Sequence, residues 1–230
     1  MENMRNKGKL IVIDGGDGTG KATQTELLIK RLQIMGMQVE TMSFPRYEEP
    51  GSLLVRRYLA GEFGTAKEVG PKVASAFFAV DRWAASGQLR AWLDAGIHVV
   101  LNRYVAANMG HQGGKIDDPE KRAELFRWLH DLEHVQFGIP EPDLNIILHV
   151  DMERTLGLID GRGAAKDIHE QDPDHLAAAE RVYLEIAGLF PDKFRLVECM
   201  RDGELLSRAD IHDLIWQIAY PVLTTHLQPA

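Results

Sequence analysis

Cysteine is almost missing from this chain. Cys199 is the only one among 230 residues, so no disulfide within the chain is possible, and the fold must rest on its apolar core. Such sparing use fits a reducing, cytoplasmic setting. Long apolar runs are missing too. None reaches the roughly 20 residues that a membrane-spanning helix needs, and the opening MENMRNKGK lacks the apolar stretch of a secretory signal. Positive charge is in deficit, with 26 Lys and Arg against 34 Asp and Glu and a net charge of −8. That balance argues against nucleic acid as a partner, while leaving room for a local basic site that takes a small anion. There is no internal repeat, no low-complexity linker and no cluster with metal-ligand spacing. The expectation is one domain over residues 1–230, with neither membrane nor nucleic acid as a partner.

What is present is a regular alternation. The short segments Leu10–Ile13, Val39–Met42, Ile97–Leu101, Leu144–Val150 and Phe194–Glu198 read as strands. Between them lie helical patterns: one places Leu27, Leu28, Leu32 and Met35 on one face and closes at Gly36, and others cover 71–95, 119–137, 173–189 and 205–220. Continuous apolar strands alternating with helices predict an α/β fold with a parallel sheet covered on both faces. Ligands of such sheets bind beyond the carboxyl ends of the strands. The loop after the first strand, Asn102 and Asp151 all follow strands, so one crevice is expected to collect them.

The first strand runs into "DGGDGTGKATQ". Gly15, Gly16, Asp17, Gly18, Thr19 and Gly20 precede Lys21, with the two outer glycines five apart. Glycines let successive backbone N–H groups face an anion, the following helix adds the positive end of its dipole, and Lys21 brings a mobile charge to the outer phosphates. Residues 15–23, through Ala22 and Thr23, are therefore the expected ATP-phosphate cradle. Position 22 would ordinarily carry a hydroxyl that ligates Mg²⁺. Thr23 is no geometric substitute, because one helical step turns a side chain by about 100°. Mg²⁺ keeps several waters and leans on substrate phosphates, so water can take the hydroxyl's place. No direct protein ligand to the metal is assigned.

Further stretches follow in order: "FPRY" at 44–47, "FAVDR" at 78–82, "NRYVAANMGHQGGKI" at 102–116 and "DIHE" at 167–170. With the glycine loop, this ordered set closely resembles the thymidylate kinase family of P-loop nucleoside monophosphate kinases, from about residue 9 to residue 194. The resemblance implies a three-layer α/β/α fold with a five-stranded parallel sheet and a helical lid, here about residues 153–172. It implies transfer of the γ-phosphate of ATP to dTMP with Mg²⁺ as cofactor, and a homodimer, for which the helix over 71–95 is a candidate face.

It also implies roles. Lys21, Arg103, Arg162 and Asp17 are the expected catalytic set, Asp17 lying near the acceptor's sugar and phosphate. Phe44 and Tyr47 correspond to the wall beside the deoxyribose, where a tyrosine crowds out a 2′-hydroxyl. Phe78 corresponds to the aromatic that stacks on thymine, and Arg82 and Asn108 to the residues that read its edge. Arg103 matches the arginine that holds the acceptor phosphate, and Gln112 lies where relatives also approach the base. Arg162, Lys166, Asp167 and Glu170 belong to the lid. The residue types fit these roles chemically. Arg82 only donates, Asn108 donates and accepts, and a guanidinium fork fits a phosphate. Taken alone, Phe78 reads as core, Arg82 beside Asp81 as a solvated surface pair, and His111 and His169 as ordinary core or surface histidines.

The chain also departs from the pattern. Asn102 stands where Asp is usual, Ala107 where Ser is common, and Asp14 where Glu is usual. Together with Ala22, these changes remove two hydroxyls and one carboxylate near the site, and leave Lys21, Arg82, Arg103 and Asn108 in place. Transfer relies on alignment and electrostatics, so the expectation is an active dTMP kinase with altered metal coordination. The alternatives are a weakened or inactive nucleotide-binding homologue and a kinase for another deoxynucleoside monophosphate such as dUMP.

Overall fold

The computed structural model describes residues 7–152, 154, 155, 157, 168 and 172–225. Five parallel strands form the central sheet: β1 (Leu10–Gly15), β2 (Val39–Ser43), β3 (His98–Asn102), β4 (Leu144–His149) and β5 (Phe194–Glu198), in the order β2-β3-β1-β4-β5. Every residue of β1 is buried, as a central parallel strand covered on both faces requires. β2 lies at the edge and is only partly covered. A small antiparallel pair, β6 (Met200–Arg201) and β7 (Glu204–Leu205), follows β5. The sequence pattern places Leu205 in the last helix instead. The glycine of the Asp202-Gly203 turn has φ 80, and this turn ends the helical reading.

The helices are α1 (Lys21–Ile34), α2 (Leu53–Leu59), α3 (Ala66–Val69), α4 (Pro71–Asp94), α5 (Val105–Gly113), α6 (Pro119–His130), α7 (Pro173–Leu189) and α8 (Arg208–Thr224). Strand residues alternate between the two covering layers. Ile11 and Ile13 pack with Leu28 and Leu32 of α1 and Ile211 and Ile215 of α8. Leu10 and Val12 face the other way, toward Ala85 and Leu89 of α4. Ile147 meets Met109, Phe126, Val182 and Ile186 from α5, α6 and α7. Three layers result, α/β/α, as expected. Each fully buried Leu or Ile contributes about 1.5–3 kcal/mol.

Helix starts follow local chemistry. Asp118 caps α6 through the N–H groups of Glu120 and Lys121, and Asp172 caps α7 through those of Asp174 and His175; each is followed by proline at the first helical position. After α6 the chain makes a π-helical turn, Asp131–Gln136. The sequence pattern does not predict α5. It is short, glycine-rich and almost wholly buried, and its polar residues Asn108, His111 and Gln112 face a cavity rather than solvent. Its Gly110 lies against Tyr183 of α7, where a Cβ would come within 2.6 Å of the ring.

Candidate active site

The loop between β1 and α1 is built by glycine. Gly15, Gly18 and Gly20 have φ of 134, 78 and 87, values that cost other residues strain. A Cβ on Gly15 would lie 2.4 Å from the Leu148 carbonyl oxygen, so glycine is also what lets the loop pass close to β4. Lys21 opens α1, and its Nζ folds back to donate to Gly16 O at 2.5 Å. The buried Asp14 fastens the base of the loop. It accepts from Gly15 N at 2.9 Å, from Tyr104 N at 3.1 Å and from Tyr183 OH at 2.9 Å. Burial, with the Asp14 charge beside it, pushes the Tyr183 phenol up so that it stays a donor.

Beside the loop opens a cavity of about 210 Å³. Asp17, Phe44, Tyr47, Phe78, Arg82, Arg103, Asn108 and Gln112 all line it, so residues spread over nearly 100 positions meet at one place. A larger cavity of about 660 Å³ lies between α5, α6 and α7, and none of the sequence-predicted residues lines it. The residues expected to carry chemistry gather at the smaller one.

One wall is cationic. Arg103 follows β3 with φ 62, a left-handed backbone that turns its side chain back over the loop. Its guanidinium donates to the Asp17 carboxylate. Burial opposes the charge most strongly, but Asp17, together with Tyr183, Asp14 and Tyr47, outweighs it and holds the Arg103 pKa above its ordinary value. Arg103 Nη1 also lies 3.3 Å from His111 Nε2. A guanidinium can only donate, so Nε2 accepts and Nδ1 carries the ring proton. Nδ1 in turn lies 3.4 Å from Nε2 of His175, the two rings being stacked. Burial lowers His111 to about 3 and His175 to about 4, so both are neutral near pH 7. His111 is a buried histidine, as its sequence reading allows, and it also lines the cavity.

The opposite wall is aromatic and polar. Phe78 of α4 stands edge-on to Tyr58 of α2, with centroids 6.1 Å apart. Tyr58 is itself held by Lys115, whose Nζ donates to the phenol at 2.8 Å and to Ala66 O at 3.0 Å. Arg82 is 2% exposed. Its Nε and Nη2 donate to Glu133 at 2.5 and 2.7 Å, and its Nη1 lies 3.3 Å from Tyr104 O. The surface pair suggested by "DR" does not exist. Asp81 is buried and instead binds Arg46 through the backbone N at 2.8 Å and Nε at 3.1 Å, which fixes the "FPRY" stretch to α4. Asn108 Nδ2 donates to Glu133 Oε1 at 2.9 Å and to Ser75 O at 3.2 Å. Gln112 is fully buried, and both of its amide atoms lack a partner among the described residues. Unpaired buried polar groups are costly, and Gln112 lines the cavity.

Sequence reasoning missed Glu133, Asp81 and His175. Each reads locally as a surface charge or an ordinary helical residue, and each acquires its role from a partner at least 35 positions away. Arg162, Lys166, Asp167, His169 and Glu170 lie outside the described residues. Ile168 is described, and its N–H donates to Leu59 O at 3.4 Å. Asp151 at the end of β4 is exposed and does not line the cavity. Ala107 does line it, while Ala22 faces solvent.

A glycine loop at the carboxyl edge of a parallel sheet, with a helix opening on lysine and a second, arginine-lined cavity beside it, defines a P-loop nucleoside monophosphate kinase. Comparison with known proteins narrows the class. The family model described as thymidylate kinase matches residues 13–208. Thymidylate kinase of Mycobacterium tuberculosis (strain H37Rv) is 30% identical over 184 residues, covering 77% of this chain and 85% of the relative. That of Afipia carboxidovorans is 30% identical over 219 residues, covering 92% and 88%. The solved thymidylate kinase of Candida albicans shares the fold with a TM-score of 0.72 at 23% identity, covering 93% of this chain and 92% of that one. The chain belongs to the thymidylate kinase family.

Proposed function

We propose that the protein transfers the γ-phosphate of ATP to dTMP, giving dTDP and ADP, in a Mg²⁺-dependent reaction. The observation that carries this reading is the pairing of Arg82 and Asn108 in the wall of the cavity that also holds Arg103. Arg82 offers a donor, and Asn108, its N–H groups spent on Glu133 and Ser75, offers an acceptor. Thymine presents the complement, the O4 acceptor beside the N3–H donor. Phe78 supplies a face for the ring and Gln112 a further polar contact. Phe44 and the exposed Tyr47 bound the sugar; the Tyr47 backbone carbonyl is held by Arg56.

At the phosphate end, Arg103 keeps its charge across the working pH range and receives the acceptor phosphate, exchanging part of its bond to Asp17 for it. Lys21 swings from Gly16 O to the transferring group. An acceptor phosphate oxygen is already anionic near neutral pH, so no general base is needed. The protein supplies alignment and charge stabilisation between two fixed cations and the loop's N–H groups. Arg162 and Lys166 of the lid are proposed to add charge on closure.

Mg²⁺ is proposed to be held chiefly through water and the substrate phosphates. Among the described residues no group of three His, Cys, Asp or Glu could hold a metal. Asn102 Oδ1 at the end of β3, however, is a buried acceptor with no described partner, suited to receive a hydrogen bond from a metal-bound water. The ion would neutralise charge on the transferring phosphates when bound. We further propose a cytoplasmic homodimer. No helix among the described residues is long and apolar enough to cross a membrane, and α4 exposes Val73, Val80 and Trp83 at helical spacing, an apolar stripe suited to a second copy. A coupled assay of ADP formation with ATP, Mg²⁺ and each deoxynucleoside monophosphate tests the function. The highest kcat/KM is expected with dTMP; no ADP with any acceptor would refute it.

A further inference from the structure

We infer that Glu133, which lies in none of the motifs, is a positioning residue that sets which pyrimidine the cavity accepts; the inference rests on reading that cavity as the dTMP site. Glu133 is fully buried in the π-helical turn after α6. Such turns displace a residue from the regular helical face and are frequent at functional sites. The turn is tied down by Ile139 N, which donates to Glu133 O at 2.9 Å. The side chain meets both base-reading residues at once. Oε2 accepts from Arg82 Nε at 2.5 Å; Oε1 accepts from Arg82 Nη2 at 2.7 Å and from Asn108 Nδ2 at 2.9 Å.

A carboxylate only accepts. Asn108 must therefore point its amide N–H groups at Glu133, and the backbone carbonyl of Ser75 takes the other at 3.2 Å. With both N–H groups spent, the amide keeps one orientation, and only Oδ1 is left for a ligand. Arg82 is fixed in the same way: Nε and Nη2 are committed to Glu133, one N–H of Nη1 goes to Tyr104 O, and the second N–H of Nη1 remains for the cavity. The wall thus offers a donor from Arg82 and an acceptor from Asn108 in one fixed order. Thymine and uracil match that order. Cytosine, with a donor N4 beside an acceptor N3, inverts it. A neutral side chain at 133 would leave only the longer contact with the Ser75 carbonyl to oppose a turned-over Asn108 amide, whose N–H could then meet cytosine's N3. Glu133 reaches no ligand itself; it disfavours the wrong base by raising the cost of the flip.

A salt bridge that merely joins α4 to the π-turn would affect stability and leave base preference alone, so preference is the readout. Calorimetric titrations of dTMP and dCMP are made on the parent, Glu133→Gln, Glu133→Asp, Asn108→Ala and the double variant Glu133→Gln/Asn108→Ala, with ATP affinity and thermal melting measured alongside. Glu133→Gln is expected to narrow the preference for dTMP over dCMP by about tenfold, with ATP affinity unchanged, and to narrow it no further when Asn108 is already Ala. Glu133→Asp, which keeps the charge but withdraws its oxygens from Asn108, is expected to narrow it in the same direction and carries the test should the Gln variant not fold. A selective parent whose folded variants keep the full preference overturns the inference alone. So does a narrowing that persists undiminished in the Asn108→Ala background. A parent that binds neither monophosphate, or both alike, overturns the reading of the cavity and the inference with it.

Discussion

Arg103 and Asp17 can be removed together with little loss of stability and nearly complete loss of turnover. Arg103 sits at φ 62, and holding a non-glycine residue there costs about 1–2 kcal/mol; glycine would relieve it. Arg103→Gly alone leaves the Asp17 carboxylate, whose side chain is only 12% exposed, without its guanidinium. Breaking a buried pair from one side costs about 3–5 kcal/mol, whereas replacing both partners is often neutral or better. The expected order in urea denaturation is therefore a clear loss for Arg103→Gly and recovery to within about 1 kcal/mol of the parent for Asp17→Asn/Arg103→Gly. Activity follows the opposite logic. A charge-assisted hydrogen bond is worth about 1.5–3 kcal/mol, so kcat/KM for dTMP should fall at least about 10- to 100-fold in both variants. A double variant several kcal/mol less stable than the parent would show that the pair builds the fold. Undiminished dTMP turnover would show that Arg103 does not hold the acceptor phosphate.

Lys21→Ala should fold normally and lose about 100-fold or more in kcat, and equal rates for variant and parent would refute the donor assignment. Ala22→Ser with Asn102→Asp should chiefly strengthen apparent Mg²⁺ affinity, since a carboxylate at 102 puts negative charge near a dication; if the parent is silent at every Mg²⁺ and Mn²⁺ concentration and only this double variant turns over, the parent is a binding protein and not an enzyme. His149 lies between Glu198 and Glu180 at 2.6 and 2.9 Å; burial opposes its charge, but the two carboxylates prevail and raise its pKa above 6.5. A raised folded pKa means that its stabilisation is complete below the unfolded pKa and fades as pH climbs through the folded value. The stability gap between parent and His149→Gln should therefore shrink as pH rises above about 6.5, and a constant or widening gap in denaturant titrations would contradict the pairing.

The centre of the sheet was legible because its inner strands are largely apolar runs, whereas the edge strands VETMS and FRLVE carry polar residues. Leu10–Ile13 and Leu144–Val150 could be read directly, because a strand buried on both faces leaves no polar alternation. Boundaries moved where local chemistry intervened, as at the turn of Asp202 and Gly203 that separates Leu205 from α8. α5 was illegible for the converse reason. The polar face of "VAANMGHQGG", Asn108, His111 and Gln112, turns into the cavity and not to solvent, all but Ala107 of Val105–Gly113 is buried, and its glycines serve close packing against α7. The cradle and the cavity wall were readable as motifs in order, since Gly15–Lys21, Phe78, Arg82, Arg103 and Asn108 each bring a residue type suited to phosphate or base. What motifs cannot disclose is what holds those residues still. Glu133 lies 51 positions from Arg82 and 25 from Asn108, and only the packing of α4, α5 and the π-turn brings the three together. Asp81 illustrates the same limit: its sequence neighbour is Arg82, but its partner is Arg46.

The central claim is that phosphate passes from ATP to dTMP within one ternary complex, and label transfer tests it most directly. A single turnover with γ-labelled ATP, excess dTMP and Mg²⁺ should place the label in the β-phosphate of dTDP, with one ADP formed for each dTDP. Label found only in inorganic phosphate, or retained in ATP while calorimetry shows both nucleotides bound, would contradict it.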